Sequence, residues 1–458
     1  MGLNKNNLKV VLPGMTKQLK KIILLAGDIS VLYLSLYLTL LIRYHAATAE
    51  KWQQHLFPFT VIYIFWLLIF HIANLYDLNL ARNNLVFFNL LSKTLLIVGL
   101  LSATFFYLIP YFGINPKTNL FINLILFAVF FTLWRQLFNY FIKSRILLNN
   151  VLIIGEDKEA EQLAEKIKNN PQLGYTIIDI VKPEILQNIS CFKELLKKNN
   201  INTIVIGNPS YHQDENLVQT LYQCLPLKIN FIDLATFYEE TTNKIPISLI
   251  KEIWFLENLM ESKKDTYQGL KKLLDILLAF LLGIIALFLT PFIALLIKID
   301  SEGPILFKQI RVGKNGKLFL ALKFRSMFSN AEKSGPQWAK MGDPRITKAG
   351  RFLRKARLDE LPQLLNILKG EMSFIGPRPE RPEFVQELEK KIPYYQIRHL
   401  IKPGLTGWAQ INFPYGASVE DALEKLQYEL YYLKNRSFIL DLDIALRTIK
   451  IIIQREGR

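Results

Sequence analysis

LLDILLAFLLGIIALFLTPFIALLI, residues 273–297, is the stretch whose reading decides the architecture. It is long enough to cross a bilayer, which takes about 20 apolar residues. Lysines flank it on both sides, Lys263, Lys264, Lys271 and Lys272 before it and Lys298 after it. Basic residues gather on the cytoplasmic side of membrane segments, so two basic flanks favour two ends on one side. Pro291 lies well inside the run, where it removes a backbone hydrogen bond and clashes with the preceding turn. A break at Thr290-Pro291 is therefore expected. The segment reads as a re-entrant helical hairpin over 268–299 with both ends cytosolic; an ordinary fifth span with a tolerated kink is the alternative.

Upstream, four apolar stretches at about 22–42, 56–75, 85–109 and 120–142 are each near the length that crosses a bilayer. Lys5, Lys9, Lys17, Lys20 and Lys21 precede the first, and Lys143 and Arg145 follow the fourth. Both ends of a four-helix transmembrane domain, 1–145, thus face the cytoplasm. The first run is too long for a signal peptide and lacks a small-residue cleavage site, so it reads as a retained anchor. Asp28 lies inside it, either as a buried functional carboxylate or as a helix-end or bundle contact.

Between the bundle and the decisive stretch, the strand VLIIG (151–155), the helical AEQLAEKIKNN, YTIIDIV, KELLKKNN and NTIVIG (202–207) alternate. That order argues for a small parallel, Rossmann-like α/β domain over 146–262. In the turn Gly155-Glu156-Asp157-Lys158-Glu159-Ala160, Asp157 and Ala160 stand where a dinucleotide fingerprint needs glycines. An acidic side chain there would repel a pyrophosphate, so a structural or regulatory module is expected. The fold class is membrane α plus α/β, completed by a mainly helical third domain over 263–458.

Composition agrees. Half of the 458 residues are hydrophobic, in long unbroken runs, and the net charge is +17. Such an excess points to cytoplasmic loops, anionic lipid or a polyanionic substrate. No arginine-rich tail or nucleic-acid motif stands apart from the membrane segments, so no nucleic-acid partner is expected. The two cysteines, Cys191 and Cys224, fall in a region that reads as cytosolic and support no disulfide framework.

The densest positive stretch runs from Lys298 to Arg357, with fifteen Lys and Arg against Asp300, Glu302, Glu332 and Asp343. Lipid anchoring alone does not explain the turns set among them in GPILFKQIRVGKNGKLF, KFRSM and GDPRITKAGRFLRKARLDELPQL. In RFLRKARLDELPQLLNIL, Phe352, Leu353, Leu358, Leu361, Leu364, Leu365 and Leu368 form an apolar stripe with basic residues between, an interfacial amphipathic pattern. Asp359 and Glu360 interrupt it. Pro362 suits the first turn of a new helix, which places the pair at a helix N-terminus; they either cap that helix or act in chemistry. FIGPRPERPEF (374–384) holds Arg378 between prolines, stiff enough to clamp phosphate bidentately. KPGLTGWAQIN follows at 402–412. FPYGASVEDALEKLQYELYYLKN then reads as a turn and an amphipathic helix with Ser418 as its cap.

KFRSM, LDELPQL, GPRP and PGLTGWAQ, in this order, resemble the polyprenyl-phosphate phosphoglycosyl transferases of bacterial sugar-transferase type. Residues 266–458 are similar to their catalytic domain. The resemblance implies that Asp359 attacks the β-phosphate of a UDP-sugar, forming an aspartyl-phosphosugar and releasing UMP. The phosphosugar then passes to undecaprenyl (polyprenyl) phosphate, the first step of exopolysaccharide, capsule or O-antigen synthesis. It implies Glu360 beside Asp359 at a Mg²⁺ ion, and Arg354 and Arg378 on phosphates. The resemblance also marks Lys323, Arg325, Asp343, Arg345, Arg357, Pro377, Pro379, Thr406 and Gln410 as substrate-contacting candidates. It matches Pro291 to a re-entrant break and places the chain in the bacterial inner membrane with its soluble domains cytoplasmic, where nucleotide sugars are found. A carboxylate attacking a diphosphate needs positive charge around the phosphorus, which the basic flank provides. Mg²⁺ takes one or two carboxylates plus phosphate oxygens and water, and no His or Cys cluster suggests zinc. The helix bundle and α/β module could also serve a homodimer.

Three rival readings use other residues. A nucleotide-sugar dehydratase would need Tyr267 and Lys271 as an acid-base pair. A metal-dependent glycosyltransferase would use Asp441-Leu442-Asp443, and an export or regulatory protein would need no chemistry. UMP, UDP and a keto-sugar are the products that separate the enzymatic readings.

Overall fold

The computed structural model describes residues 17–45, 48–76, 85–108, 117–143, 148–187, 189–207, 214–259, 264–329, 331, 335, 343–413, 416 and 418–453. Lys5, Lys9, Arg145, Lys263 and Glu332, used above, lie outside them. The chain divides into two compact units, Met1–Phe237 and Tyr238–Arg458.

The first unit opens with α1 (Lys17–Tyr44), α2 (Thr48–Ile72), α3 (Leu85–Leu108) and α4 (Lys117–Lys143), each apolar and long enough to cross a membrane. Each helix packs on the next and α1 closes on α4. Their shared core is aromatic, with Phe59, Trp66, Phe70, Phe127 and Phe131 fully buried. Asp28 proves to be a bundle contact: its Oδ2 lies 2.6 Å from Nη2 of Arg135 on α4, and neither side chain exceeds 1% exposure. A lone charge at this depth costs several kcal/mol, so each residue needs the other.

The same unit then forms β1 (Asn149–Ile154), α5 (Lys158–Lys168), β2 (Tyr175–Val181), α6 (Ile189–Lys198), β3 (Thr203–Ile206), α7 (Glu215–Tyr222) and β4 (Asn230–Asp233). The strands pair in parallel in the order β2-β1-β3-β4, a Rossmann-like half-sheet. The Asp157 carboxylate fills the crook between the ends of β1 and β3. A Cβ on Gly207 would meet its Oδ2 at 2.3 Å and one on Gly155 at 2.9 Å. An anion therefore faces the position where a bound pyrophosphate would lie. Neither cysteine forms a disulfide among the described residues.

The second unit begins within α8 (Leu234–Thr242) and continues with α9 (Glu252–Asn258), α10 (Asp265–Asp300), β5 (Leu306–Val312), β6 (Leu318–Phe324), α11 (Lys348–Lys355), a 3-10 run at Leu358–Gln363, α12 (Leu364–Leu368), β7 (Ser373–Ile375), α13 (Pro382–Lys391), a 3-10 run at Tyr395–Leu400, β8 (Gly404–Thr406), α14 (Trp408–Asn412), α15 (Val419–Asn435) and α16 (Phe438–Ile453). Residues 238–258 pack here. Lys244 pairs with Glu424 and Lys434 with Glu239, and Trp408 donates to the Asn243 carbonyl. Ser418 caps α15 as expected, in a reciprocal capping box with Asp421.

The decisive stretch differs from its expectation in one respect. The structure carries α10 through Pro291 as one helix rather than as two separate arms. The hydroxyl of Thr290 donates to the Ala286 carbonyl at 2.7 Å, an i−4 back-bond that eases a proline bend without ending the helix. One stripe of α10 is buried. Ala279 and Ala286 meet Leu364 and Ile367, while Ile293 and Ile297 meet Phe324 and Leu353. The rest of its surface is exposed and apolar. The unit is also less purely helical than expected. GKNGK turns an antiparallel hairpin, β5 on β6, with Asn315 and Gly316 at φ 54° and 75°.

Candidate active site

The 3-10 run Leu358–Gln363 carries the acidic pair. It follows α11 through Arg357, whose left-handed backbone (φ 56°) turns the chain sharply, and Pro362 sits inside the run. The expected new helix is therefore a 3-10 turn leading into the short α12. Asp359 is only 6% exposed, and its carboxylate has no hydrogen-bond or ion-pair partner among the described residues. Glu360, its neighbour, is ringed by cations: Lys323 Nζ at 3.2 Å, Arg378 Nη2 at 3.3 Å and Arg357 Nη1 at 3.4 Å.

Charge separates the two carboxyls. Burial, and then the charge of Glu360, push Asp359 above the usual aspartate range, against the pull of Lys323, Arg354 and Arg378. Burial also presses Glu360 upward, but Lys323, Arg378 and Arg357 override it and hold Glu360 well below the usual range. The result is a fixed anion at Glu360 and a free, proton-affine carboxylate at Asp359. Beside them opens a small cleft lined by Arg311, Ala321, Lys323, Glu360, Gln363, Arg378, Pro379 and Gly404.

The GPRP loop is held by its backbone. Arg398 Nη2 donates to the Arg378 carbonyl at 2.8 Å, and Arg311 Nη1 donates to that of Pro379 at 3.0 Å. Gly404 N donates to Pro377 O at 2.8 Å, and Val312 N to Glu380 O at 3.0 Å. Arg398 is itself fixed by both oxygens of buried Glu429, each at 2.7 Å. The glycines of PGLTG permit this approach, since a Cβ on Gly404 would come within 2.2 Å of Gly376 N and one on Gly407 within 2.2 Å of Gly376 O.

The structure thus gathers Asp359, Glu360, Lys323, Arg354, Arg357, Pro377, Arg378 and Pro379. Other expected site residues have different work. Arg325 caps the end of α10, donating to the carbonyls of Ser301 at 2.6 Å and Glu302 at 2.7 Å, which leaves it no reach into the cleft. Arg345 is bound to Asp343, with Nη2 to Oδ2 at 2.6 Å, and the charge of Asp343 acts on Arg354. The hydroxyl of Thr406 bonds that of Thr448 at 2.8 Å. Gln410 donates to Leu405 O, while its buried Oε1 has no partner. Arg311, Gln363 and Arg398 belong to the site without having been expected. For Arg311 a signal existed: in the hairpin register it shares a strand face with Lys323.

The rival constellations are occupied otherwise. Tyr267 and Lys271 both donate to Asp441 Oδ2, at 2.7 and 2.6 Å, and Tyr432 donates to its Oδ1. Asp443 pairs with Arg447. These contacts tie the start of α10 to α16.

Residues 266–455 match the family described as bacterial sugar transferase. The chain is 41% identical over 240 residues to the UDP-N-acetylgalactosamine-undecaprenyl-phosphate N-acetylgalactosaminephosphotransferase of Aeromonas hydrophila, covering 52% of this chain and 55% of that protein. To the undecaprenyl-phosphate glucose phosphotransferase of Komagataeibacter xylinus it is 31% identical, over 67% of this chain and 59% of the relative. It therefore spans little more than half the length of these two relatives. With the UDP-glucose:undecaprenyl-phosphate glucose-1-phosphate transferase of Xanthomonas campestris pv. campestris it shares 31% identity over 71% of both chains. The chain belongs to the bacterial sugar transferase family.

Proposed function

We propose that this protein transfers a sugar 1-phosphate from a UDP-sugar to a polyprenyl phosphate, releasing UMP. The observation that carries the reading is the unpartnered, buried carboxylate of Asp359 beside a cluster of cations held only loosely by Glu360. Those contacts run from 3.2 to 3.4 Å, against 2.6 Å for the part-buried pair Lys271–Asp441 and 2.7 Å for the buried pair Arg398–Glu429. Lys323, Arg357 and Arg378 are therefore available to a diphosphate, which offers them more charge than one carboxylate.

In the first step an Asp359 oxygen attacks the β-phosphorus and the bond from that phosphorus to the bridging oxygen breaks. UMP leaves with the bond pair, and the phosphosugar remains as an acyl phosphate on Asp359. In the second, an oxygen of the polyprenyl phosphate attacks the same phosphorus, the bond to Asp359 breaks, and the carboxylate returns. Arg378, stiffened by Arg398 and Arg311, orients the phosphates; Lys323 and Arg354 lower the repulsion between nucleophile and substrate. The donor set fits Mg²⁺, since Asp359 and Glu360 supply the one or two carboxylates that this ion takes before phosphate and water. Among the described residues no group of three metal-ligating side chains forms a closed cage. When bound, Mg²⁺ would neutralise charge on the diphosphate.

The site belongs at the cytoplasmic face of the bacterial inner membrane, with α10 re-entrant. One observation about α10 supports re-entry. Its start is tied to Asp441 and its end to Arg325 within one unit, and its buried stripe meets that unit between. Thiol labelling of a C-terminal cysteine in sealed vesicles tests this, and external labelling would refute it. For the activity, purified protein is given UDP-N-acetylgalactosamine, UDP-glucose and other UDP-sugars with Mg²⁺ and polyprenyl phosphate. UMP is the expected product, with a first turnover that needs no lipid. UDP as product would overturn the reading.

A further inference from the structure

The β5–β6 hairpin has two faces of different chemistry. In its register Phe307 lies opposite Lys323, Gln309 opposite Ala321 and Arg311 opposite Phe319. Side chains alternate across a strand, so Lys323, Ala321 and Arg311 share one face, the face that lines the cleft. The other face carries Leu306, Lys308, Ile310 and Val312 on β5 and Leu318, Leu320, Leu322 and Phe324 on β6, with Val312 and Phe324 buried. The solvated side of an antiparallel sheet ordinarily reads polar. Here Leu306, Ile310, Leu318 and Leu320 are 40%, 53%, 61% and 43% exposed.

The surroundings say what covers this face. Lys308 within it and Lys314 and Lys317 at its turn are all exposed. An apolar patch bordered by lysines matches the boundary of an anionic bilayer, where leucines enter the acyl edge and ammonium groups meet lipid phosphates. A second copy of the same face would bring like charges together. The patch also continues from a membrane segment. β5 begins at Leu306, shortly after α10 ends at Asp300, and the last turns of α10 expose Phe292, Leu295 and Ile299 by 69%, 60% and 76%.

We propose that the outer face of the β5–β6 hairpin docks on the anionic lipid of the bilayer surface. One layer of backbone then separates lipid from Lys323 and Arg311, and the hairpin fixes the cleft at headgroup depth, where a lipid-borne phosphate lies. The purpose of this docking rests on the proposed activity; the docking itself does not.

The test uses the full chain in nanodiscs. Cys191 is replaced by serine, buried Cys224 is kept, and a nitroxide is attached at Ile310→Cys or Leu318→Cys, with Glu389→Cys on α13 as an aqueous reference. In discs containing phosphatidylglycerol, collisions with oxygen exceed those with a nickel chelate at 310 and 318, and the order reverses at 389. The triple variant Lys308→Gln/Lys314→Gln/Lys317→Gln lowers the oxygen-to-nickel ratio at 318, as do discs of phosphatidylcholine alone. Nickel accessibility at 310 and 318 equal to that at 389 in both lipids overturns the proposal. So does spin–spin broadening at 318 in discs holding two copies, which would mean a second chain covers the face. Thermal melting and gel filtration of the labelled variants against wild type check that they are folded. Because depth is read without turnover, loss of the proposed activity in wild type would leave the docking result standing.

Discussion

Arg398→Lys is the substitution that most directly tests whether the grip of Arg378 is set from behind. Arg398 makes two bonds of 2.7 Å to Glu429, one of 2.8 Å to the Arg378 carbonyl and one of 3.0 Å to the Tyr395 hydroxyl. Lysine keeps the charge that Glu429 needs but has no planar fork, so it holds one carboxylate oxygen and releases the carbonyl. With charge-assisted bonds contributing about 1.5–3 kcal/mol each, the loss comes to roughly 2–4 kcal/mol of stability after partial recovery. In a unit of this size that is a Tm drop of about 5–15 °C. Alanine would leave Glu429 buried and unpaired, at a cost of about 3–5 kcal/mol, and would confuse unfolding with misplacement. A displacement of about 1 Å in a group that orients phosphates costs up to about 100-fold in rate. The assay is UMP release at a temperature where the variant is folded, with kcat/KM for UDP-sugar expected about 10- to 100-fold down. Lys244→Gln, which breaks the 2.6 Å pair with Glu424 on α15 away from GPRP, is the control and should lose stability alone. Arg398→Lys in an Arg378→Lys background should add little further loss in kcat/KM, because both act through one loop. Wild-type kcat/KM in folded Arg398→Lys would refute the positioning role.

Asp359→Asn should abolish UMP release and raise Tm at neutral pH. Burial and Glu360 raise the folded pKa of Asp359, so the folded state binds the proton more tightly and stability falls as pH rises from the unfolded to the folded pKa. The asparagine removes that penalty, and the Tm gap should close as the pH is taken below the ordinary aspartate range. Glu360→Gln should do the opposite to stability, since the depressed pKa of Glu360 contributes stability above its unfolded value and loses it on acidification. In rate profiles, the acid limb of kcat/KM should move to lower pH in Glu360→Gln and to higher pH in Lys323→Met, followed by UMP release across pH. In the bundle, Asp28→Ala should destabilise by about 3–5 kcal/mol by stranding Arg135, with Asp28→Ala/Arg135→Met partly restoring thermal stability in detergent.

The candidate site was legible where it is local. Asp359-Glu360 stand out as acids in a basic run, and GPRP declares a stiff arginine in four adjacent residues. The four apolar helices and the parallel sheet follow from run length and alternation, which report burial one element at a time. What failed was reach. Lys323 and Arg325 are two apart and would share a face in a strand, but β6 ends at Phe324. Arg325 therefore leaves the sheet and finds the open carbonyls at the end of α10. Similarly, Pro291 weakens a helix locally, but α10 runs on through it with Ile293 and Ile297 packed against Phe324 and Leu353.

Arg398 shows why the rest was hidden. It lies twenty residues after Arg378 and thirty-one before Glu429, in a segment, YQIRHL, with no periodicity or motif of its own. Its role exists only once β7 and β8 pair and α15 crosses behind them. The same holds for Asp441, whose three donors come from α10 and α15. Asp359, Glu360 and Arg378 stand out in the sequence by type and spacing because the phosphate chemistry proposed for them needs such residues. Residues that aim them are chosen by the fold, and buried charge pairs such as Arg398–Glu429 are tolerated because each completes a hydrogen-bond set around the loop. In this site Arg398 and Glu429 hold GPRP by its backbone, while Arg311 and Gln363 line the cleft and are equally unannounced.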